Sequence, residues 1–151
     1  MGHERERNAV AAAHCLKVES KENGDGLASF ILGLLYESGI GVDKDPIKAK
    51  FYYEQATNQG NSYGFTKIGW QYFDGYDIEK NYSKSVKYLQ KGMNAGNPFS
   101  AGLLGYCYET GQGVEENKKK AFELYHKLVR KFSDFIVLFN SLNLKNNQFN
   151  I

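Results

Sequence analysis

Apolar side chains along the chain recur at the spacing of one helix face, and these stripes come in pairs. In the clearest pair, one stripe runs from Leu32 to Tyr36 and the next from Ala49 to Ala56, with apolar residues at i, i+3, i+4 and i+7. A polar stretch containing two glycines, YESGIGVDKDP, separates the two stripes. The pattern predicts two amphipathic helices joined by a tight turn.

The same pair of stripes returns at a fixed interval of 36 residues. Three columns of identical residues mark the interval: Gly33, Gly69 and Gly105; Tyr36, Tyr72 and Tyr108; Gly39, Gly75 and Gly111. A period of this length is typical of a repeat array, in which one supersecondary unit cannot bury its apolar face alone. The sequence therefore predicts an all-α fold, a solenoid of antiparallel helix pairs.

Polar residues at fixed phases predict where the helices begin and end. Residues whose side-chain oxygen can accept free N–H groups at a helix start occupy two columns: Asp25, Asn61, Asn97 and Ser133; Asp45, Asn81 and Asn117. Pro46 and Pro98 follow two of them, at the first helical position. Gly39 and its two equivalents follow the first helix of each unit, where a left-handed residue ends a helix. We therefore interpret the repeated glycine-containing stretch as the hinge of each helix pair.

Composition narrows the class of protein. The 151 residues are 42% hydrophobic and 15% aromatic, which is typical of a globular domain. A formal net charge of +2 lacks the strong basic excess of phosphate binders, so charge by itself does not indicate nucleic acid and leaves the partner open; a nucleic-acid partner is disfavoured. The N-terminal segment has no apolar region of a secretory signal, and FILGLLY and FIVLF are too short to cross a bilayer, so a cytoplasmic protein is expected. Cys15 and Cys107 are interpreted as buried thiols in a reducing compartment, with a disulfide between them as the alternative.

The repeated motif resembles the Sel1-like repeat, a relative of the tetratricopeptide repeat. Unit one matches its pattern at Ala28, Leu32, Gly33, Tyr36, Gly39, Gly41, Val42, Asp45, Ala49, Tyr53 and Ala56. Unit three matches at Leu104, Gly105, Tyr108, Gly111, Gly113, Val114, Ala121 and Tyr125. Unit two departs at Gly64, Ser85 and Asp77, which predicts a wider turn and less regular packing. The resemblance implies a right-handed superhelical stack.

The period also predicts the domain organisation. Residues 26–60, 61–96 and 97–132 form three full repeats. Residues 1–25 are predicted to supply the second helix of a partial repeat, and residues 133–151 a separate capping helix with a frayed tail. Atypical end units of this kind cover the open core of a stack.

No arrangement of residues indicates catalysis, a metal site or a cofactor. His3, His14 and His126 lie at unrelated phases and are interpreted as surface or half-buried residues. The pairs Gly39-x-Gly41 and Gly111-x-Gly113 lack the preceding strand and the lysine of a phosphate loop, so we interpret them as turns. We expect a protein that is not an enzyme.

If side chains of this protein bind a partner, we expect them to lie on the first helix of each unit. In tetratricopeptide-like stacks this helix lines the concave face, and the resemblance implies that the residues flanking the Leu-Gly pair face that groove. The candidate partner-binding residues are Phe30, Leu34, Glu37, Trp70, Phe73, Asp74, Tyr106 and Glu109. Exposed aromatic residues are frequent anchors of protein contacts, whereas the alternative is that these rings fill the space between units. For Tyr63 and Phe99, near helix starts, we favour packing between units.

These observations favour a non-catalytic interaction module, an adaptor or scaffold that binds a peptide or protein with basic and apolar residues. The resemblance carries this hypothesis more than any motif. The alternative is a cognate inhibitor or immunity-type protein, or a protein that binds host proteins. An RNA-binding helical repeat is less favoured: Lys48, Lys84 and Lys120 align on the predicted convex side, and we interpret this ridge as a solvated face.

Overall fold

The computed structural model describes the backbone of residues 2–75 and 78–147, and the side chains as far as residue 137. All regular secondary structure in these ranges is helical, as predicted. The helices are α1 (Gly2–Glu22), α2 (Gly26–Ser38), α3 (Pro46–Asn58), α4 (Ser62–Asp74), α5 (Tyr82–Asn94), α6 (Pro98–Thr110) and α7 (Lys118–Asn147). The three repeats are thus the pairs α2 and α3, α4 and α5, and α6 and α7, with α1 stacked before the first.

The helix starts confirm the predicted caps in both columns, except for Ser133. The Asp25 carboxylate accepts from the backbone N–H groups of Leu27 and Ala28, and the amide oxygens of Asn61 and Asn97 take the same position on α4 and α6. The second helices begin in the same way at Asp45, Asn81 and Asn117. Each cap satisfies N–H groups that have no partner within the helix.

The hinge of each unit follows the predicted design. Gly39, Gly75 and Gly111 are left-handed, with φ of 71°, 78° and 69°, and their N–H groups bond to the last turn of the helix. The capping residue of the next helix then donates its own N–H to the carbonyl of the repeated tyrosine, as Asp45 does to Tyr36 at 2.9 Å. The stretch recurs because every unit makes this same closed turn.

The core lies where the two helices of a unit meet. Leu32, Leu89 and Leu104 are fully buried there, and Tyr53 is 1% exposed. Glycine on the first helix lets the second helix approach: a Cβ at Gly33 would lie 2.5 Å from Cδ1 of Tyr53, and one at Gly69 would lie 2.9 Å from Leu89. This close approach explains the column of glycines that includes Gly33 and Gly69.

Unit two is more regular than its sequence departures predict. Its helices, α4 and α5, have 13 residues each, as do α2 and α3. Ser85, in place of alanine, is fully buried and donates its hydroxyl to the Gly69 carbonyl at 2.8 Å. Asp77, which predicted a wider turn, lies outside the described residues.

The predicted capping helix beginning at Ser133 is wrong. The helix α7 runs without interruption from Lys118 to Asn147, so Ser133 lies inside it. Earlier second helices and α1 end next to glycines with positive φ, namely Gly24, Gly60 and Gly96. Phe132 occupies that column here, and without a residue suited to the left-handed region the helix continues.

Side-chain size at the crossing between units also favours a continuous α7 over a helix that folds back. Where a second helix meets the next first helix, the residues are small, as in the pairs Ala56 with Gly64 and Gly92 with Ser100. The corresponding pair is Leu128 with Ile136. Two large side chains at the point of closest approach would overpack a helix folded back at this place.

Candidate partner-binding surface

The first helices of the three units line one side of the stack. Contacts join α2 to α4 and α4 to α6, whereas α3 and α5 make no such contact with each other in the described part of the chain. Helices that approach each other on one side and separate on the other curve the stack. The inner, concave side is therefore formed by α2, α4 and α6, as the family resemblance implies.

An aromatic cluster occupies the middle of this side. The Trp70 ring stacks on Phe73 with centroids 5.7 Å apart, and Tyr106 of the next unit meets Phe73 edge-on at 5.8 Å. Trp70 and Tyr106 are each 43% exposed, and Leu34, which occupies the same column in unit one, is 38% exposed. Phe73 is half-buried and packs against the core around Leu89. We call Trp70, Phe73 and Tyr106 the central aromatic cluster.

Phe30 and Tyr63 form a second ring contact near the helix starts. Their centroids are 5.5 Å apart, and Phe30 also packs on Tyr53 at 5.7 Å. The contact joins units one and two, as predicted for Tyr63, although 45% of Tyr63 is still exposed. Phe99, in the same column, contacts Phe132 of α7 at 5.7 Å and is 54% exposed. Phe30 is thus mainly a packing residue, and the start of each first helix adds apolar surface to the concave side.

The acidic candidates differ in how they are paired. Glu37 accepts the Tyr53 hydroxyl at 2.6 Å and binds the Lys67 ammonium at 2.9 Å through both oxygens. Glu109 is exposed and accepts the Tyr125 hydroxyl at 2.7 Å, and Asp74 is exposed. Lys67, which was not predicted as part of this surface, neutralises the acidic edge at unit one. Negative charge is therefore concentrated at Asp74 and Glu109.

The hydrogen-bonded pair is exchanged for an apolar pair in unit two. Glu37 with Tyr53 and Glu109 with Tyr125 are each 16 residues apart, and at the same positions unit two has Phe73 and Leu89. The exchange replaces the carboxylate at this position of the concave side by the Phe73 ring. It also supplies the ring that links Trp70 to Tyr106.

Ionisation in these pairs follows from burial and hydrogen bonding. Burial raises the pKa of the Glu37 carboxyl, but the hydrogen bonds from Tyr53 and Lys67 and the lysine charge outweigh it, so the net pKa is lowered. Burial and then the bond to Glu37 raise the pKa of Tyr53. Burial and the bond to Glu109 likewise raise the pKa of Tyr125 to about 12. Both tyrosines therefore stay neutral donors at physiological pH.

The aligned lysines of the second helices have a packing role that was not predicted from the sequence. The ammonium groups of Lys48, Lys84 and Lys120 lie 5.4, 5.3 and 4.3 Å from the ring centroids of Tyr36, Tyr72 and Tyr108. A cation over an aromatic face at this range is attracted by the ring quadrupole. Contact with the repeated tyrosine accounts for the repetition of these lysines, and this weakens the case for a phosphate-tracking ridge.

A cleft of about 420 Å³ opens beside the start of α3. Its walls include Lys44, Ile47, Lys50 and Ile78. In units one and three, the second turn glycine touches the helix before the unit: a Cβ at Gly41 would lie 2.9 Å from the nitrogen of Val10, near the middle of α1, and one at Gly113 would lie 2.9 Å from that of Ser83, at the start of α5. The unit-two sequence has Asp77 in this column, outside the described residues.

The remaining candidates for chemistry lie apart. Within the described residues, no group of three or more His, Cys, Asp and Glu side chains is arranged to hold a metal ion. His3, His14 and His126 are exposed on α1 and α7. Both cysteines are free, but the prediction that both are buried is wrong for Cys15, which lies on the exposed side of α1. Burial raises the pKa of the Cys107 thiol to about 11.

Paired helices stacked around an inner face that displays aromatic rings define a helical-repeat protein. A profile of the Sel1 repeat matches residues 26–61, 66–97 and 98–131. The chain belongs to the Sel1 repeat family, whose repeats are generally protein–protein interaction modules rather than catalytic domains. No functionally curated protein matches the chain by sequence. Within the described residues, no helix is long and apolar enough to span a membrane.

Solved structures agree with this assignment. A Sel1 repeat protein from Oxalobacter formigenes superposes with a TM-score of 0.73 at 28% identity, over 78% of this chain and 88% of that one. The protective antigen c5321 of uropathogenic Escherichia coli strains gives 0.72 at 25% identity, over 79% of this chain but only 25% of the antigen. Helicobacter pylori cysteine-rich protein B gives 0.61 at 22% identity, over 78% and 89%, and shows the shared fold.

Proposed function

We propose that this protein is a non-catalytic adaptor that binds a peptide or protein along its concave side. The central aromatic cluster is the anchor, with Leu34 extending it toward unit one. The observation that carries the proposal is the exposure of Trp70 and Tyr106 on the inner helices, where both rings are held in place by Phe73. Trp and Tyr that are rigid and half-exposed lose little conformational entropy on binding, and they are frequent hot spots of interfaces.

The charges around the cluster favour a partner with basic as well as apolar residues. Asp74 and Glu109 are exposed on the helices that carry Trp70 and Tyr106. Glu37, by contrast, is engaged by Lys67 and Tyr53. Complementary charges at an edge direct orientation and association rate more than affinity. A basic residue of the partner would therefore lie toward units two and three.

We propose that the protein binds its partner in the cytoplasm. Cys15 and Cys107 are free thiols, and Cys15 is exposed. Exposed free thiols persist where glutathione keeps the compartment reduced.

The test is affinity capture from lysate of the source cells with the wild type and a Trp70→Ala, Tyr106→Ala variant. Truncating two anchors should weaken capture of the specific partner at least 30-fold, since one hot spot alone contributes about 2 kcal/mol or more. Phe51→Ala is the matched control, because Phe51 is 59% exposed on α3, away from the concave side. All three proteins should show the same helical circular dichroism. Equal capture of the same partners by the wild type and the double variant would refute the concave site.

A further inference from the structure

The cleft beside the start of α3 contains a polar side chain at a position that is apolar in the other units. Gln71 of α4 lines the cleft and is only 7% exposed. In the same column of the repeat, unit one has Leu35, and unit three has Cys107, which is fully buried in the core. Unit two therefore places an amide where the other units place an apolar group.

The Gln71 amide has no hydrogen-bond partner among the residues that the structure describes. The atoms in this part of the chain that are both unpaired and closed off from solvent belong to Asn97 and Gln112, so the amide of Gln71 is still reachable from the cleft. A nearly buried polar group without a partner costs free energy. A glutamine amide offers donors and an acceptor together, which is what a peptide group of a ligand can match.

Apolar walls surround this amide. Ile47 lines the cleft from α3 and is 84% exposed, and the half-buried Ile78 lines it from the hinge of unit two. The volume of about 420 Å³ falls within the range of ligand sites, about 300–1,000 Å³, which are typically apolar with a few polar groups. An apolar side chain of a ligand would cover the exposed isoleucine.

The rim of the cleft is basic. Lys44 and Lys50 line it, and neither forms an ion pair within the described ranges. Glu37 lines the cleft too, but the Lys67 ammonium binds both of its oxygens at 2.9 Å. The positive charge at the rim is therefore not cancelled, and it favours an anionic group of the ligand.

A narrower groove of about 110 Å³ continues from the cleft along α3. It shares Lys50, Gln71 and Ile78 with the cleft and reaches Asn58, the last residue of α3. From Pro46, which lines the cleft, to Asn58 the helix rises about 18 Å, the span of about five extended residues. A small free acid would need the cleft alone, whereas cleft and groove together fit an extended polypeptide.

We propose that the cleft binds the C-terminus of a partner polypeptide that ends in an apolar residue. The terminal carboxylate binds the ammonium groups of Lys44 and Lys50. The last side chain packs between Ile47 and Ile78, and the last peptide group exchanges hydrogen bonds with the Gln71 amide. This site is separate from the central aromatic cluster and does not depend on binding at the concave side.

The direction of the bound chain follows from Glu54. Its carboxylate lines the groove but not the cleft, and like charges repel. The terminal carboxylate therefore lies at the Lys44 end, away from Glu54. The residues that precede it run along α3 toward Asn58.

The first test is fluorescence anisotropy of short neutral peptides, labelled at the N-terminus and ending in leucine, isoleucine, valine or phenylalanine, titrated with the full chain. At least one should bind saturably, and amidation of its C-terminus should weaken binding about tenfold or more by removing a charge-assisted contact. Unlabelled N-acetyl-leucine should compete about tenfold more weakly than the unlabelled peptide, because it cannot occupy the groove. Absence of saturable binding, equal binding of the amide, or equal competition by N-acetyl-leucine would overturn the proposal.

Substitutions in the cleft test the assigned contacts. Gln71→Leu, which copies Leu35 of unit one, should weaken binding of the free-acid peptide about tenfold or more. Its thermal midpoint should be equal to or above that of the wild type, because a buried unpaired amide is removed. Full binding by this variant, or a clear loss of stability, would contradict the role given to Gln71.

A matched pair of lysine variants tests the charge. Lys50→Gln should weaken binding several-fold, about the effect of one charged contact, and make it less sensitive to salt. Lys48→Gln is the control, because Lys48 is on the same turn of α3 but lies over the Tyr36 ring and does not line the cleft. The Trp70→Ala, Tyr106→Ala variant should bind the peptide as the wild type does. Equal effects of the two lysine variants, or loss of binding in the aromatic variant, would refute the cleft as the site.

Discussion

Replacing Gly33 by alanine should destabilise the protein by about 2–4 kcal/mol, although alanine is the better helix former. The added methyl gains about 1 kcal/mol of helix propensity inside α2. However, it would lie 2.5 Å from Cδ1 of Tyr53, so the ring must move by about 1 Å. Overpacking costs about 1–3 kcal/mol. Moving the ring also disturbs the 2.6 Å bond from its hydroxyl to Glu37, and bonds to charged groups contribute about 1.5–3 kcal/mol.

The assay is urea unfolding followed by circular dichroism at 222 nm, with the free energy of unfolding taken from the midpoint and slope. Gly102→Ala is the control. It also lies within a first helix, but its added methyl would meet only the flexible tip of Leu128, at 3.0 Å. That variant should be unchanged or more stable by up to about 1 kcal/mol. If Gly33→Ala were as stable as Gly102→Ala, close packing of Tyr53 would not be the reason for the glycine column.

Three further predictions concern the core, the lysine contacts and the half-buried carboxylate of Glu37. Leu104→Ala should lower the free energy of unfolding by about 2–5 kcal/mol in the same urea assay, because Leu104 is fully buried; a loss below about 1 kcal/mol would contradict its place in the core. Lys120→Gln should cost about 0.5–1 kcal/mol through the lost contact with Tyr108, whereas exposed Lys119→Gln should change stability by less than about 0.5 kcal/mol; equal effects would show that the ring contact is irrelevant. Because the folded-state pKa of Glu37 is below 4.5, its ionised form stabilises the fold above that pH and loses this contribution as the pH falls through the folded pKa. Thermal melts of wild type and Glu37→Gln should therefore differ most near neutral pH and converge below pH 4.5, and a constant difference would disprove the linkage.

Local features of the fold were predictable from sequence because their physics is local. A capping side chain such as Asn61 acts on N–H groups two and three residues away, and Gly39 ends a helix through its own φ angle. The continuation of α7 past Ser133 was harder to predict, because its cause is a glycine that is absent. Phe132 occupies the column of Gly60, so the residue that ends the earlier helices is missing, but the polar Ser133 next to it suggested a helix start.

Contacts between helices were harder to predict. The phase of Lys120 was visible in the sequence, but its tyrosine partner depends on how α6 and α7 lie against each other. The pairing of Glu37 with Lys67 joins two units and likewise needs their relative position. The exposure of Cys15 was accessible from the period, since the charged Lys87 and Glu123 occupy the same column. Which rings of the concave side stay open was set by packing between units.

Almost every packing contact joins helices that are neighbours along the chain; the bond from Tyr53 to Glu37 spans 16 residues, and that from Lys67 to Glu37 spans 30. Closing such short loops costs little entropy, so folding should be fast and can start in any unit and spread to the next. A weakened middle repeat would then interrupt the spread, and the two ends of the chain would unfold separately. A weakened last repeat would only shorten the ordered array from one side.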